Sequence, residues 1–289
     1  MCVKKYKFTG EEKFDIHDFC TSDEREGKDK EDIQEQINKN LSQMKEYQDK
    51  LYAEGKNGIL IIFQAMDAAG KDGAVNHVFS GLNPQGVDVC NFKQPSVEEL
   101  AHDYLWRAHK NVPQRGKIAI FNRSYYEDVL VAKVHKLYKT QNLPDRCKED
   151  GVIKERYSQI RDFEKYLWGN GITIVKFFLH ISKEEQKKQF LQRIEDKSKN
   201  WKFSKSDMLE REYWDDYQNA YEKAINETAT EECPWYVIPS DNRWYARALV
   251  SEIIVKTMKK IDPQYPEISK EAEEDLQKCR QSLLNDSNC

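Results

Sequence analysis

The sequence predicts an α/β protein of three layers, a central parallel five-stranded sheet with helices on both faces. Short apolar runs alternate along the chain with helix-length amphipathic stretches, the pattern of successive β-α-β units. The runs are near-continuous, Ile-Leu-Ile-Ile-Phe at 59–63 and Val-Lys-Phe-Phe-Leu at 175–179, as expected of strands covered on both sides. The first run stops abruptly at a loop of small residues that feeds a helix.

Residues 1–30 are polar, with Phe8, Phe14, Ile16 and Phe19 interspersed, and read as an arm wrapping the body. Over 32–53, Ile33, Ile37, Leu41, Met44, Tyr47 and Leu51 recur at steps of three and four, an amphipathic helix ended by Gly55 and Gly58. Strands are expected at 59–63, 87–92, 117–121, 172–181 and 235–238. Ser96-Val-Glu-Glu99 is a capping box opening a helix through Ala108, and Ser182-Lys-Glu-Glu185 opens another through Arg193. Residues 124–137, 154–168, 205–229 and 242–261 also read as helices. After Pro263 the chain is polar, with Ile268, Ala272, Leu276 and Leu283 at helical spacing, a surface helix or a contact with another subunit. With no repeat and no low-complexity linker, one domain is expected at 31–262, flanked by the arm (1–30) and a helical tail (263–289).

A third of the residues are charged and 39% are apolar, a globular composition. No run approaches the roughly 18 apolar residues of a membrane span. No signal peptide is visible at the N-terminus, so a cytoplasmic protein without membrane partners is expected. The net charge of −4 disfavours a nucleic-acid binder, though it leaves room for a local basic channel. Seven scattered cysteines without a C-x-x-C pair suit a reducing compartment, and six histidines without an H-x-x-x-H pair argue against zinc.

The chemistry concentrates at the strand ends. After Ile59-Leu-Ile-Ile-Phe-Gln come Ala65, Met66, Asp67, Ala68, Ala69, Gly70, Lys71, Asp72 and Gly73. A phosphate loop of the form G-x-x-x-x-G-K-[ST] would place glycine at 65 and a hydroxyl at 72. Gly-Lys alone is common in ordinary turns, but after a strand and among small residues it points to backbone amides cradling phosphate, with Lys71 as the cation. The missing hydroxyl leaves a metal ligand to be found. Either aspartate can supply a hard oxygen to Mg²⁺, and Asp67 is the first choice, because Asp72 also suits a helix N-terminus. The third strand ends in Asn122, Arg123, Ser124, Tyr125, Tyr126 and Glu127. Asn122 can order a metal-bound water, Arg123 can neutralise phosphate, and Glu127 can contact an acceptor nucleotide. The charged stretch from Arg193, with Trp201 and Phe203 embedded, reads as a lid at about 193–210 or as a solvated loop. At the last strand end, Trp244 and Tyr245 suit packing better than base stacking.

Taken in order, Met66-Asp-Ala-Ala-Gly-Lys-Asp-Gly73, Asn83-Pro-Gln-Gly86, Phe92-Lys-Gln-Pro95, Asp103-Tyr-Leu-Trp-Arg107, Phe121-Asn-Arg-Ser-Tyr-Tyr-Glu127 and Trp235-Tyr-Val-Ile-Pro-Ser-Asp-Asn242 resemble the polyphosphate kinase 2 family over about 30–262. The resemblance implies a thymidylate-kinase-like P-loop fold and Mg²⁺-dependent phosphoryl transfer between inorganic polyphosphate and a nucleotide. Asp67 and Lys71 match the family's loop residues, Asn122-Arg123 its second motif, and Arg193 an arginine leading into the lid. Asn122 together with Glu127 resembles the subgroup that phosphorylates AMP as well as ADP. The resemblance also suggests a homo-oligomer.

The expected site therefore has Asp67, Lys71 and Arg123 as catalytic residues. Residues 68–73 and Arg193 hold phosphate, Asn122, Arg123, Tyr126 and Glu127 hold an adenine or guanine nucleotide, and Asp67 ligates Mg²⁺. Ala65 departs from the family's glycine, which a loop tolerates if φ there is negative. Lys197 stands where the family often has proline. Two rivals are an ATP-dependent nucleotide or nucleoside kinase of the same fold and a non-catalytic nucleotide-binding protein, the latter favoured only by Asn122 in place of an acid.

Overall fold

The computed structural model describes residues 3–22 and 30–285. In chain order the elements are β1 (Lys7–Phe8), α1 (Lys30–Glu54), β2 (Gly58–Ala65), α2 (Lys71–Phe79), β3 (Val87–Asn91), α3 (Val97–Leu100), α4 (Trp106–His109) and β4 (Ile118–Asn122). There follow α5 (Val131–Val134), α6 (Val152–Gly169), β5 (Ile172–His180), α7 (Lys183–Glu195), α8 (Lys205–Glu210), α9 (Trp214–Thr228), β6 (Trp235–Pro239), α10 (Arg243–Ile261) and α11 (Lys270–Asn285).

The sheet has six strands in the order β1-β6-β5-β2-β4-β3. The five long strands are parallel and β1 pairs antiparallel with β6. Every residue of β2 is buried, as its apolar run requires for the central strand of a covered sheet. Alternation along β5 separates the two faces. Phe177 stacks on Phe63, whose other neighbour is Phe79 of α2, while Phe178 stacks on Tyr221 of α9. Thus α1, α2 and α10 pack together on one face and α5, α6 and α9 on the other. Among the described residues no helix is long and apolar enough to cross a membrane.

Four expectations change. The arm is more than a wrapping: β1 extends the sheet to a sixth strand, and Tyr6, Phe14 and Ile16 are buried in the main core. Its partners are more than 200 residues away, so no local period marks it. The helix expected over 96–108 stops at Leu100, because the Asp103 carboxylate accepts from the Leu105 N–H and forms a turn instead. The helix expected over 124–137 is a short 3-10 turn, Tyr125–Asp128, followed by the single turn of α5. The helix over 205–229 is broken by a 3-10 turn, Arg211–Tyr213. Arg211 there donates to Lys183 O and Gln186 Oε1 and pulls the chain toward α7. On the tail, α11 forms and buries none of its side chains. Cys2 and Cys289 lie outside the described residues.

Candidate active site

Parallel strands aim their carboxyl ends at one edge of the sheet, and all the expected chemistry gathers there. β2 ends at Ala65, where φ is not positive, so the alanine carries no strain. The turn's left-handed residues fall later, at Ala68 (φ 64°) and Gly70 (φ 93°), the latter capping α2. The loop and the first turn of α2 open onto a cavity of about 630 Å³ that holds Asp67, Ala68, Ala69, Gly70, Lys71, Asp72 and Gly73 on its wall. Eight lysines and arginines line that cavity against two aspartates. His77, also on the wall, has its pKa lowered by burial and by the nearby Arg247.

Lys71 folds back on the strand end, its Nζ donating to Ala65 O at 2.8 Å and Met66 O at 3.4 Å. Burial, with Arg123 adding to it, pulls its pKa down to about 8. Arg123 stands opposite, itself left-handed (φ 62°), and forks between two acids: Asp67 Oδ1 at 2.8 Å and Glu127 Oε2 at 3.1 Å. Asn122 Nδ2 donates to Asp72 Oδ1 at 2.7 Å and to Asn91 Oδ1 at 2.9 Å. That ties the tips of β3 and β4 to the first turn of α2. Asp67 also gives its backbone oxygen to Gln186 Nε2 of α7, 3.0 Å away.

Two more cavities meet the first at Arg123. One of about 220 Å³ is lined by Asp67, Arg123, Glu127, Asp207, Glu210 and Tyr217 among others. The other, about 730 Å³, runs between the 92–95 segment, Glu127 and the end of α5. Asp67, Lys71, Asn122, Arg123, Glu127 and Arg193 are thus brought together. Arg193 closes one wall of the cationic cavity from the end of α7, held by Asp207 Oδ2 at 3.2 Å. Lys199 and Lys202 of the expected lid join it on that wall, while Trp201 is 78% exposed.

Tyr126 is the exception, for the nucleotide contact expected of it does not match where its side chain lies. It is fully buried on the far side of the turn, its hydroxyl bonded to Glu164, and it borders none of the three cavities. Sequence reasoning also misses Arg243 and Arg247, which project from the start of α10 into the cationic cavity. Arg243 Nη2 donates to Ala68 O at 3.1 Å, and Arg247 Nη2 lies 2.9 Å from where a Cβ on Gly73 would be. Arg243 follows directly on Asn242, the last residue of the sixth motif, and Arg247 comes four residues later; that closeness is the available signal. Trp244 packs between His77 and Arg247, the structural role expected of it.

A phosphate loop at a switch of strand order, facing an arginine and a cationic cavity, defines a P-loop phosphotransferase. The family model described as Polyphosphate kinase 2 (PPK2) matches residues 27–266, and the chain belongs to that family. It is 44% identical to an ADP-polyphosphate phosphotransferase of Rhodopseudomonas palustris, over 98% of each chain. It is 45% identical to an AMP/ADP-polyphosphate phosphotransferase of Meiothermus ruber, over 92% of this chain and 96% of that one. The fold matches the crystal structure of polyphosphate kinase 2 from Arthrobacter aurescens TC1 with a TM-score of 0.86 and 38% identity, over 94% and 95% of the two chains.

Proposed function

We propose that this protein is an enzyme that transfers the terminal phosphoryl group of inorganic polyphosphate to AMP or ADP, reversibly and with Mg²⁺. One observation carries the reading: Arg123 stands where a cavity lined by eight lysines and arginines meets two cavities bordered by Glu127. A polyanionic donor fits the first cavity and a nucleotide acceptor fits the others. In the forward step a phosphate oxygen of the nucleotide attacks the terminal phosphorus, and the bond to the next phosphate breaks. That oxygen is already ionised near pH 7, so no general base is required. The loop amides, Lys71 and Arg123 offset the charge on the transferring group.

The donor set fits Mg²⁺. Among the described residues no group of three or more His, Cys, Asp or Glu side chains could form a metal cage. Mg²⁺ is commonly held by one or two carboxylates together with substrate phosphates. Of the two aspartates on the cavity wall we assign this role to Asp67, which stands beside Arg123. When bound, the ion neutralises phosphate charge. Asp67→Asn should raise the Mg²⁺ concentration needed for half-maximal rate, and an unaltered Mg²⁺ titration would count against this ligand.

The deciding experiment is a matrix of donors (polyphosphate, ATP) against acceptors (AMP, ADP, GMP, GDP). Nucleotide gain with polyphosphate as sole donor supports the reading. Gain only with ATP would show an ordinary nucleotide kinase. Asn122 together with Glu127, which resembles the subgroup that phosphorylates AMP as well as ADP, and the likeness to the AMP/ADP-polyphosphate phosphotransferase support acceptance of both.

A further inference from the structure

A buried ion pair lies outside the three cavities, and its partners lead into the site. The side chains of Lys176 in β5 and Glu164 in α6 are 0% and 1% exposed. Lys176 Nζ donates to Glu164 Oε2 at 2.5 Å, Thr228 O at 2.8 Å and the Tyr126 hydroxyl at 3.2 Å, which occupies all three of its hydrogens. Glu164 Oε1 accepts from the hydroxyls of both Tyr125 and Tyr126, each at 2.8 Å. Trp235 Nε1 donates to Thr228 Oγ1 beside them.

Desolvating two charges offsets most of their attraction, so replacing such a pair with apolar groups is often neutral for stability. What the pair does specify is the place of two consecutive tyrosine hydroxyls. Tyr125 and Tyr126 follow closely on Arg123, whose left-handed backbone persists only where its surroundings hold it. Before Arg123 the chain is fixed by the sheet, and the Arg123 N–H itself donates to Phe63 O at 3.0 Å. After it, the Tyr126 N–H donates to Ser124 Oγ, and the two hydroxyls reach Glu164. Glu127 is the next residue.

We propose that the Glu164–Lys176 pair is a positioning device for phosphoryl transfer: it clamps Tyr125 and Tyr126, and through them it sets Arg123 and Glu127 between the donor and acceptor cavities. The inference rests on the role proposed above for Arg123. Lys71, Arg193, Arg243 and Arg247 are carried by α2, α7 and α10, and none of them bonds to the pair or to the two tyrosines. Loss of the pair therefore affects turnover and spares donor binding.

The double variant Glu164→Leu/Lys176→Met removes both charges and the acceptor the two hydroxyls share, at nearly constant volume. It is expected to melt cooperatively with a polyphosphate KM within about twofold of native, and its kcat should fall about ten- to a hundredfold, the scale of an ångström-sized misplacement. Tyr125→Phe and Tyr126→Phe should each lower kcat in the same direction by less. Native kcat in the folded double variant overturns the proposal, as does a kcat loss matched by an equal rise in polyphosphate KM. If the double variant does not fold, native kcat in both tyrosine variants overturns it. Arg123→Ala separates the two ideas: a native rate there refutes the role of Arg123 itself, whereas a loss there beside a native rate in the double variant refutes only the positioning.

Discussion

Lys71 enters the site as a conditional charge. Its pKa of about 8 arises chiefly from burial, with repulsion from Arg123 second. A bound polyanion favours the charged form, so polyphosphate raises that pKa again. Below pH 8 the ammonium is already present and binding takes up little proton. Above it, binding must protonate the lysine, so affinity falls as pH rises, by about tenfold near pH 9, one decade per pH unit. Calorimetry in buffers of different ionisation enthalpy should detect proton uptake near pH 8.5 in the native enzyme and none in Lys71→Met. Turnover of Lys71→Ala should fall by about a hundredfold or more, the cost of losing one charge-stabilising donor. A near-native rate in purified protein would remove Lys71 from the chemistry.

At the scale of elements, α2 and α10 meet across a glycine. Gly73 lies inside α2 with an ordinary helical backbone, so alanine there gains up to about 1 kcal/mol of helix propensity. The same methyl would stand 2.9 Å from Arg247 Nη2, the mobile end of a long side chain. Gly73→Ala should therefore keep or raise Tm while it raises the polyphosphate KM, because Arg247 is pushed off the loop. A fall in Tm with an unaltered KM would contradict this. The same junction shows what the sequence can and cannot reveal. The helix expected over 32–53 is α1, and the five expected parallel strands all form, because each is encoded by its own period or apolar run. The phosphate loop is legible for the same reason, as strand, small residues, lysine and helix are contiguous. Arg243 has only its place after the sixth motif to mark it, since it reaches Ala68 over 175 residues and otherwise reads as a solvent-facing helix start. Tyr126 is misread as a nucleotide contact because it neighbours site residues. Its direction is decided by Glu164, Lys176 and Thr228, and no local pattern carries that information.

The whole molecule carries a net charge of −4, yet eight lysines and arginines line one cavity. Attraction for a long polyanion is then local and screened by salt over about 10 Å at 0.1 M. Raising ionic strength from about 0.05 to about 0.5 M should raise the polyphosphate KM far more than the nucleotide KM. Equal sensitivity of the two would argue against a cationic donor channel. The outer edge of the sheet makes a second demand. Residues 1–20 supply β1 and the buried Tyr6, Phe14 and Ile16. Their removal forfeits roughly 1.5–3 kcal/mol for each large apolar side chain. It also leaves β6 as an open edge strand, which templates association. A chain trimmed to start at residue 21 should therefore have a lower Tm and elute as higher oligomers or aggregate in light scattering.

The edge strand has a consequence for the order of synthesis. Lys7 pairs with Tyr236, and the Tyr6 hydroxyl meets that of Tyr245, 239 residues later. An edge segment is thus completed by one made more than 200 residues after it. β2 pairs with β4 and β5 and can find its partners earlier, while Tyr6, Phe14 and Ile16 wait exposed until β6 and α9 are made. Contacts of such long separation are slow to close, so during synthesis this aromatic-rich segment stays unpaired until more than 200 further residues have been made.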